Sequence, residues 1–263
     1  MSKQLFQNLL DDFKKSNQNR KLKLAIKAGY PSIELYKNYL EQELLSNSVQ
    51  TVIPDKLKEK PIIHIVDIID CSDSMNGHKI KSAIEGINRG IDNLKKDETV
   101  DDTYTLCDFS SRYDISFKYT KCPLSAVNSV YLTSRGKTAL YDAIGMTLDK
   151  IKLFKKPDEK VLVNIYTDGD ENDSEIYTSD SLNILITMLK SDGFTITFIG
   201  IEKDINSIIK KLNIYDSNTL AYDGSAKGLE MSLEKTITAR EVFSQAVVEG
   251  KDVSKGFYKN INK

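Results

Sequence analysis

From residue 62 onwards, the chain alternates between short apolar segments rich in β-branched residues and longer amphipathic segments. Residues 62–69, IIHIVDII, are mostly apolar, which is typical of a strand that is buried on both faces of a sheet. Residues 78–96 then place isoleucines at helical spacing. Strands and helices that alternate in this way predict an open, mostly parallel sheet covered by helices.

The alternation continues towards the end of the chain. Further strands are predicted over residues 103–110, 113–119, 161–167, 194–201 and 218–223, and further helices over 140–154, 181–193, 204–213 and 227–248. The tight turn between the first two of these strands indicates an antiparallel hairpin at one edge of the sheet. The sequence therefore predicts a doubly wound, Rossmann-like α/β fold with about six strands, one antiparallel edge strand and helices on both faces.

The first 60 residues have a different pattern. Apolar residues at helical spacing predict helices over residues 5–15 and 33–45, and residues 49–61 form a connector with two prolines. Two short helices bury little apolar surface by themselves. We therefore predict a helical N-terminal extension over residues 1–60, a main domain over 61–250 and a C-terminal tail over 251–263.

Composition excludes several classes of function. The formal net charge is −1, from 37 basic and 38 acidic residues, which gives no general attraction to nucleic acid or to an anionic membrane. No apolar run approaches the roughly 20 residues that span a bilayer, and the charged N-terminus does not resemble a secretory signal. The three sparse cysteines predict reduced thiols. We expect a cytoplasmic protein, with an oligomeric state that the sequence leaves open.

Polar residues follow the first predicted strand directly. Asp70, Ser72 and Ser74 form the pattern D-x-S-x-S in the loop between this strand and the next helix. In open parallel sheets, ligands bind at the carboxyl ends of the strands. Hydroxyl and carboxylate oxygens are hard ligands that suit Mg²⁺ or Mn²⁺ better than zinc.

Two later loops add oxygen donors on the same predicted edge of the sheet. Thr138 lies in TSRGKTALYDAI, residues 133–144, just before a predicted helix. Asp168 lies in YTDGDEND, residues 166–173, at the end of a predicted buried strand. The candidate metal ligands are therefore Asp70, Ser72, Ser74, Thr138 and Asp168.

The segments DCSDS, GKTALYDAI and TDGDEN, in this order, resemble the metal-ion-dependent adhesion site of the von Willebrand factor A domain family. The resemblance covers about residues 60–248 and is greatest to small intracellular bacterial and phage members. It implies that Ser72, Ser74 and Thr138 ligate the metal directly, and that Asp70 and Asp168 act largely through bound waters. It also implies that a carboxylate from a partner protein fills the open coordination position.

The sequence departs from the family pattern at Asp73, where the family usually has glycine. An added carboxylate would either strengthen cation binding or weaken the capture of an acidic partner. The sequence does not decide between these effects.

Each polar residue also has a simpler interpretation. The loop residues after the first strand, and Thr138, are of types that cap helices. Asp170, Glu171 and Asp173 either form a solvated acidic loop, which is the favoured interpretation, or extend the metal site. Cys71 is predicted to be a small buried residue, and His64 a core histidine.

Three function classes follow. The leading hypothesis is a non-enzymatic, metal-dependent protein-interaction module. A second is a Mg²⁺-dependent phosphatase with Asp70 as nucleophile, which is disfavoured because Ser72 stands where such enzymes have a second carboxylate. A third is a structural or assembly component, of a phage particle or a stress-response complex, that uses the N-terminal extension for interaction.

Overall fold

The computed structural model describes residues 60–259 without a break, together with residues 7, 8, 11, 14–16 and 37. The chain divides into two compact units, Met1–Glu59 and Lys60–Lys263. Most residues of the helices predicted over 5–15 and 33–45, and most of the predicted connector, lie outside the described residues, so these elements stay predictions.

Within residues 60–259, six strands form one sheet in the order β3-β2-β1-β4-β5-β6. The strands are β1 (Ile62–Asp70), β2 (Asp101–Phe109), β3 (Ile115–Pro123), β4 (Lys160–Tyr166), β5 (Phe194–Ile201) and β6 (Thr219–Tyr222). Neighbouring strands run parallel except β2 and β3, which pair antiparallel. The predicted sheet, with its antiparallel edge strand, is confirmed.

Five α-helices in the same part of the chain cover both faces of the sheet. They are α1 (His78–Leu94), α2 (Leu140–Phe154), α3 (Ser179–Ser191), α4 (Glu202–Lys211) and α5 (Ala226–Val248). Helices α1 and α5 share one apolar cluster with one face of β1, whereas α2, α3 and α4 share a second cluster with its other face. None of the helices in the described residues has the length and apolarity that a membrane span requires.

The buried strand β1 separates these two clusters. Ile63, Ile65 and Ile69 lie in the cluster with α1 and α5, and Val66 and Ile68 lie in the other. Successive side chains of a strand point to opposite faces, so a strand between two helical layers must be apolar at almost every position. This requirement explains why the apolar run of β1 was readable in the sequence.

Several element boundaries differ from the predicted ones. Strand β3 begins at Ile115 and continues to Pro123, past the predicted end at residue 119. Helix α3 begins at Ser179, because the Thr178 hydroxyl accepts a hydrogen bond from the backbone N–H of Ser181 and caps the helix. Helix α3 ends at Ser191, shortly before Gly193, which has φ +81°.

The predicted C-terminal tail packs into the domain. Phe257 and Tyr258 are buried in the cluster shared with α1 and α5. The ring of Phe257 meets that of Phe243 edge-on at a centroid distance of 6.0 Å, and the hydroxyls of Tyr258 and Thr236 lie 3.0 Å apart. The domain core therefore extends beyond the predicted boundary at residue 250.

Candidate metal centre

Backbone hydrogen bonds join the loop after β1 to the loop that precedes α2. The backbone N–H of Arg135 donates to the carbonyl of Cys71 over 2.6 Å, and that of Asp73 donates to the carbonyl of Gly136 over 3.0 Å. The backbone N–H of Cys71 in turn donates to the carbonyl of Phe109, at the end of β2. The D-x-S-x-S loop is thereby fixed on both sides by main-chain contacts.

A reciprocal pair of hydrogen bonds joins Thr138 to the loop after β4. The backbone N–H of Asn172 donates to the carbonyl of Thr138, and the amide oxygen of Asn172 accepts from the backbone N–H of Thr138, both over 3.0 Å. All three loops that carry candidate ligands are thus bonded to a neighbour. Donors held in this way lose little conformational freedom when they bind an ion.

The candidate oxygen donors converge beside Gly169. A methyl group added to the α-carbon of Gly169 would lie 3.1 Å from the Thr138 hydroxyl, 3.4 Å from the Ser74 hydroxyl and 3.6 Å from a carboxylate oxygen of Asp70. Three donors from two loops therefore surround one point beside the third loop, and the small residue at Gly169 leaves that point open.

Hydrogen bonds bring the remaining two candidates into the same group. The Ser74 hydroxyl donates to Asp168 Oδ1 over 2.6 Å, and the hydroxyls of Ser72 and Ser74 lie 2.9 Å apart. Asp70 accepts from the backbone N–H of Ser72 over 2.7 Å and from the Thr167 hydroxyl over 2.6 Å. The structure thus places all five predicted site residues in one cluster.

The two carboxylates of the cluster are buried and electrostatically coupled. Asp70 is fully buried and Asp168 is 8% exposed. Burial raises the pKa of Asp70 to about 6, the charge of Asp168 adds to the increase, and hydrogen bonds from Thr167 and Ser72 oppose it. A buried carboxyl group with a raised pKa, next to a second buried carboxylate, indicates a place where positive charge is favoured.

The donor chemistry fits a hard divalent cation. Among the described residues, no three His, Cys, Asp or Glu side chains are grouped as a metal cluster. The cluster instead combines two carboxylates with the hydroxyls of Ser72, Ser74 and Thr138. Oxygen-only sets of this kind suit Mg²⁺ and Mn²⁺, which bind few carboxylates and keep several waters.

Besides Thr167, which donates to Asp70, sequence reasoning missed two side chains at this cluster. Lys79 Nζ lies 2.5 Å from Asp168 Oδ2 and forms an ion pair with it. The hydroxyl of Tyr222 is buried without a hydrogen-bond partner in the described part of the chain. Burial raises the pKa of Tyr222, and the charges of Asp168 and Asp70 raise it further, so the ring lies within electrostatic reach of the site.

A signal for Lys79 was present in the sequence. The residue occupies the first turn of α1, where the helix dipole disfavours a positive charge. A lysine at this position therefore suggests a nearby carboxylate, and in the structure that carboxylate is Asp168 in the loop after β4. For Tyr222 no comparable signal existed, because the short strand β6 reads as an ordinary edge strand.

The structure also decides several of the simpler interpretations. Thr138 does not cap α2, because the N-cap is Ala139 and no side chain caps that helix. Asp73 is exposed on the surface, and so is His78. Cys71 is fully buried in the apolar cluster with α1 and α5, and burial raises its pKa to about 12, as expected of an unreactive thiol.

His64 is a core residue, as predicted. Its Nε2 lies 2.8 Å from the Thr105 hydroxyl, whereas Nδ1 has no partner among the described residues. Burial lowers the pKa of His64 to about 3, with a further contribution from the charge of Lys121, so the ring is neutral.

Two acidic side chains of the loop after β4, Glu171 and Asp173, bind backbone N–H groups instead of being fully solvated. Glu171 accepts hydrogen bonds from the backbone N–H groups of Tyr141, Asp173 and Ser174, and Asp173 accepts from the backbone N–H of Arg112. These carboxylates hold the loop in shape and are already engaged. Extension of the metal site by Glu171 or Asp173 therefore finds no support in the geometry.

The model of the von Willebrand factor type A domain matches residues 64–233, which is more than half of the chain. The chain belongs to this family. Domains of the family are typically protein-interaction modules. The match includes all five residues of the candidate metal centre.

Solved structures with the same fold differ strongly in sequence. Proximal thread matrix protein 1 from the mussel byssus matches with a TM-score of 0.52 at 16% identity, over 80% of this chain and 52% of that protein. The PilB minor pilin from Streptococcus sanguinis matches with a TM-score of 0.52 at 13% identity, over 73% of this chain and 63% of the pilin. This chain thus spans about half to two thirds of the length of these proteins. No curated protein sequence matches the chain.

Proposed function

We propose that this chain is a metal-dependent protein-binding module of the von Willebrand factor A family. Ser72, Ser74 and Thr138 would hold Mg²⁺ or Mn²⁺ directly, with Asp70 and Asp168 acting through waters, as the family resemblance implies. The bound cation would offer an open coordination position to a carboxylate of the partner protein. The observation that carries the proposal is the convergence of Asp70, Ser74 and Thr138 beside Gly169, where Asp168 of the third loop accepts the Ser74 hydroxyl.

Hydrogen bonds in the cluster support this assignment of roles. The proton of the Ser74 hydroxyl is directed to Asp168 and one lone pair of its oxygen faces the Ser72 hydroxyl, which leaves the second lone pair to bind a cation. The Thr167 hydroxyl and the backbone N–H of Ser72 hold the two oxygens of Asp70 in place. Each carboxylate therefore orients a neighbouring donor and contributes negative charge.

We propose further that the chain is not an enzyme. A phosphatase would need Asp70 as an accessible nucleophile, but Asp70 is fully buried and both of its oxygens accept hydrogen bonds. Residue 72, the position of the second carboxylate in such enzymes, is Ser72.

The alternative role in assembly depends on the N-terminal extension, which lies almost wholly outside the described residues, and it stays a prediction. All three cysteines are free thiols, which supports the proposal of a cytoplasmic protein related to bacterial or phage members of the family.

The substitution Gly169→Ala tests the proposal without removing any ligand. The added methyl group would contact the hydroxyls of Thr138 and Ser74 at 3.1 and 3.4 Å and fill the space between the donors. We expect wild-type protein to bind Mg²⁺ in isothermal titration calorimetry and the variant to lose that binding. At a Mg²⁺ concentration of 100 times Kd, the wild type alone should gain about 2.7 kcal/mol of stability.

Asp170→Asn is the matched control, because Asp170 is an exposed neighbour of Gly169 that lies outside the donor set. This variant should bind Mg²⁺ as the wild type does. Protein capture should then be compared in Mg²⁺ and in EDTA, with Gly169→Ala beside it. A partner retained equally under all three conditions, or the absence of Mg²⁺ and Mn²⁺ binding by the wild type, would overturn the proposed function.

A further inference from the structure

Among the described residues, Lys79 is the positively charged side chain that contacts the candidate metal centre. Its ammonium group lies 2.5 Å from Asp168 Oδ2, and the Asp168 side chain is 0% exposed while that of Lys79 is 25% exposed. The other oxygen of Asp168 accepts the Ser74 hydroxyl. A positive charge from helix α1 therefore already balances one of the two buried carboxylates when the cluster is considered without a metal.

The location of Lys79 is unfavourable apart from this contact. It is the second residue of α1, a helix of 17 residues whose first turn has no acidic side chain. The N-terminal end of a helix carries partial positive charge, so both the helix and the lysine make this corner of the site electropositive. The ion pair with Asp168 compensates part of that charge.

The charge of the cluster depends on Lys79 in a simple way. Asp70 and Asp168 contribute two negative charges and Lys79 one positive charge, which leaves one negative charge. A divalent cation changes this sum to one positive charge. Without the lysine, the same cluster would carry two negative charges when empty of metal and no net charge with a divalent cation bound.

We propose that Lys79 sets the charge of the metal centre, so that it weakens the binding of the divalent cation and strengthens the capture of an acidic ligand. This inference rests on the proposed function and names its regulation by a residue outside the ligand set. Attraction between charges follows their product, so the more negative cluster binds the cation more tightly. The neutral, metal-loaded cluster has less attraction for a carboxylate than the positive one. Lys79 does not have to leave Asp168 for either effect.

A structural role for Lys79 predicts a different result. If the lysine only held Asp168 in position, its loss would disorder a metal ligand, and both the cation and the acidic ligand would bind more weakly. Opposite changes in the two affinities are therefore the signature of the charge effect.

The first measurement is the affinity for the metal alone. Wild type, Lys79→Gln and Lys79→Arg would be titrated with MgCl₂ by calorimetry at pH 7.5 and constant ionic strength. Because Lys79 is partly exposed and screened by solvent, we expect a Kd for Mg²⁺ that is lower in Lys79→Gln by on the order of tenfold. Lys79→Arg keeps the charge and should stay close to the wild type.

The second measurement is the capture of a carboxylate by the metal-loaded protein. Acetate would be titrated into protein in excess over Mn²⁺, with the relaxation of water protons reporting the displacement of metal-bound water. Acetamide, which is uncharged and of similar shape, is the control ligand. We expect the affinity for acetate to fall in Lys79→Gln by on the order of tenfold, again with the exposure of Lys79 limiting the effect.

Lys81→Gln is the matched control variant, since Lys81 is an exposed lysine in the same turn of α1. It should change both affinities much less than Lys79→Gln. If Lys79→Gln left the affinities for Mg²⁺ and acetate unchanged, or lowered both, the inference would be overturned. Metal binding by the wild type would still support the proposed function in that case. A wild type that binds neither Mg²⁺ nor Mn²⁺ would overturn both.

Discussion

Two buried aspartates in this domain are paired with cations from helices, and the two pairs differ in their access to water. Asp67, inside β1, pairs with Arg240 of α5, and the side chains are 0% and 3% exposed. Asp168, after β4, pairs with Lys79 of α1, and here the cation is 25% exposed. The chemistry is similar, but only the second pair lies at a surface that a ligand can reach.

The buried pair of Asp67 and Arg240 is also surrounded by further hydrogen-bonding side chains. Asp67 also accepts hydrogen bonds from the Tyr104 hydroxyl over 2.8 Å and from the Asn164 side chain over 2.9 Å, and Arg240 donates to the Tyr166 hydroxyl. An enclosed network of this kind stabilises one packing of the core. The Lys79 pair lacks such enclosure, so its charge is available to modulate a ligand. The two ion pairs therefore differ in enclosure, and only the charge of Lys79 lies within reach of a ligand.

The largest effect should come from removing the enclosed cation. Arg240→Met leaves the charge of Asp67 buried and uncompensated, which costs about 3–5 kcal/mol of unfolding free energy. Urea denaturation followed by circular dichroism would measure the loss.

Two further variants sharpen this result. Adding Asp67→Asn to Arg240→Met removes both charges and should restore part of the stability. Arg89→Met removes an exposed arginine that pairs with Glu234, and it should cost less than about 1 kcal/mol. A loss in Arg240→Met no greater than that in Arg89→Met would contradict the structural role of the enclosed pair.

Asp102 extends the comparison to a carboxylate that has no partner. It lines a cleft of about 540 Å³ together with Asp97, Asp101 and other residues, and neither of its oxygens has a hydrogen-bond partner in the described residues. Burial raises its pKa to about 7, the charge of Asp97 adds to the increase, and that of Arg240 opposes it. Ionised Asp102 is therefore a source of instability.

This pKa fixes the sign of a pH dependence. The carboxyl of Asp102 titrates near 4 in the unfolded chain and near 7 in the folded one, so stability associated with its protonated form is lost as pH rises through this interval. Asp102→Asn removes the ionisation. We expect the free energy of unfolding of the variant to exceed that of the wild type by on the order of 2 kcal/mol at pH 8, and by much less at pH 4.

Thermal or urea unfolding of both proteins across this pH range would test the expectation. A gain that is equal at pH 4 and pH 8 would show that the titration of Asp102 is not its cause.

The smallest effect on stability is expected for the exposed pair. Lys79→Gln, without metal, should change the unfolding free energy by less than about 1 kcal/mol, because solvent replaces the lost contact at a partly exposed side chain. The measurement is the same urea titration. A loss as large as that of Arg240→Met would make the Lys79 pair structural and remove the distinction between the two pairs.

Much of the fold was predictable because buried strands and amphipathic helices leave local patterns. The strands around the centre of the sheet, such as β1 and β5, are runs of apolar residues because they face helices on both sides. The full length of β3 was not predictable, since this edge strand is only partly buried and its residues alternate less clearly. Packing of residues 251–258 depends on contacts with distant elements, which no local pattern encodes.

The candidate site was predictable to a similar extent and for related reasons. Asp70, Ser72 and Ser74 are close in sequence, Thr138 lies just before a predicted helix, and Asp168 follows a predicted buried strand. Their convergence beside Gly169 follows from the parallel sheet. Arg240 was missed because an arginine in a helix is usually exposed to solvent. Lys79 was missed because its position in the first turn of a helix suggests a nearby carboxylate, but only the fold shows that this carboxylate is Asp168.

The segment after α5 has a consequence for how this domain is divided. The side chain of Asn218 bonds to the Ser254 carbonyl and to the backbone N–H of Phe257, and the Thr195 hydroxyl donates to the Val253 carbonyl. The family match, in contrast, ends at residue 233, inside α5. The segment that matches the family is therefore shorter than the packed domain. A shortened chain that ended at residue 233 would lose Phe257, Tyr258 and part of α5 from the hydrophobic core.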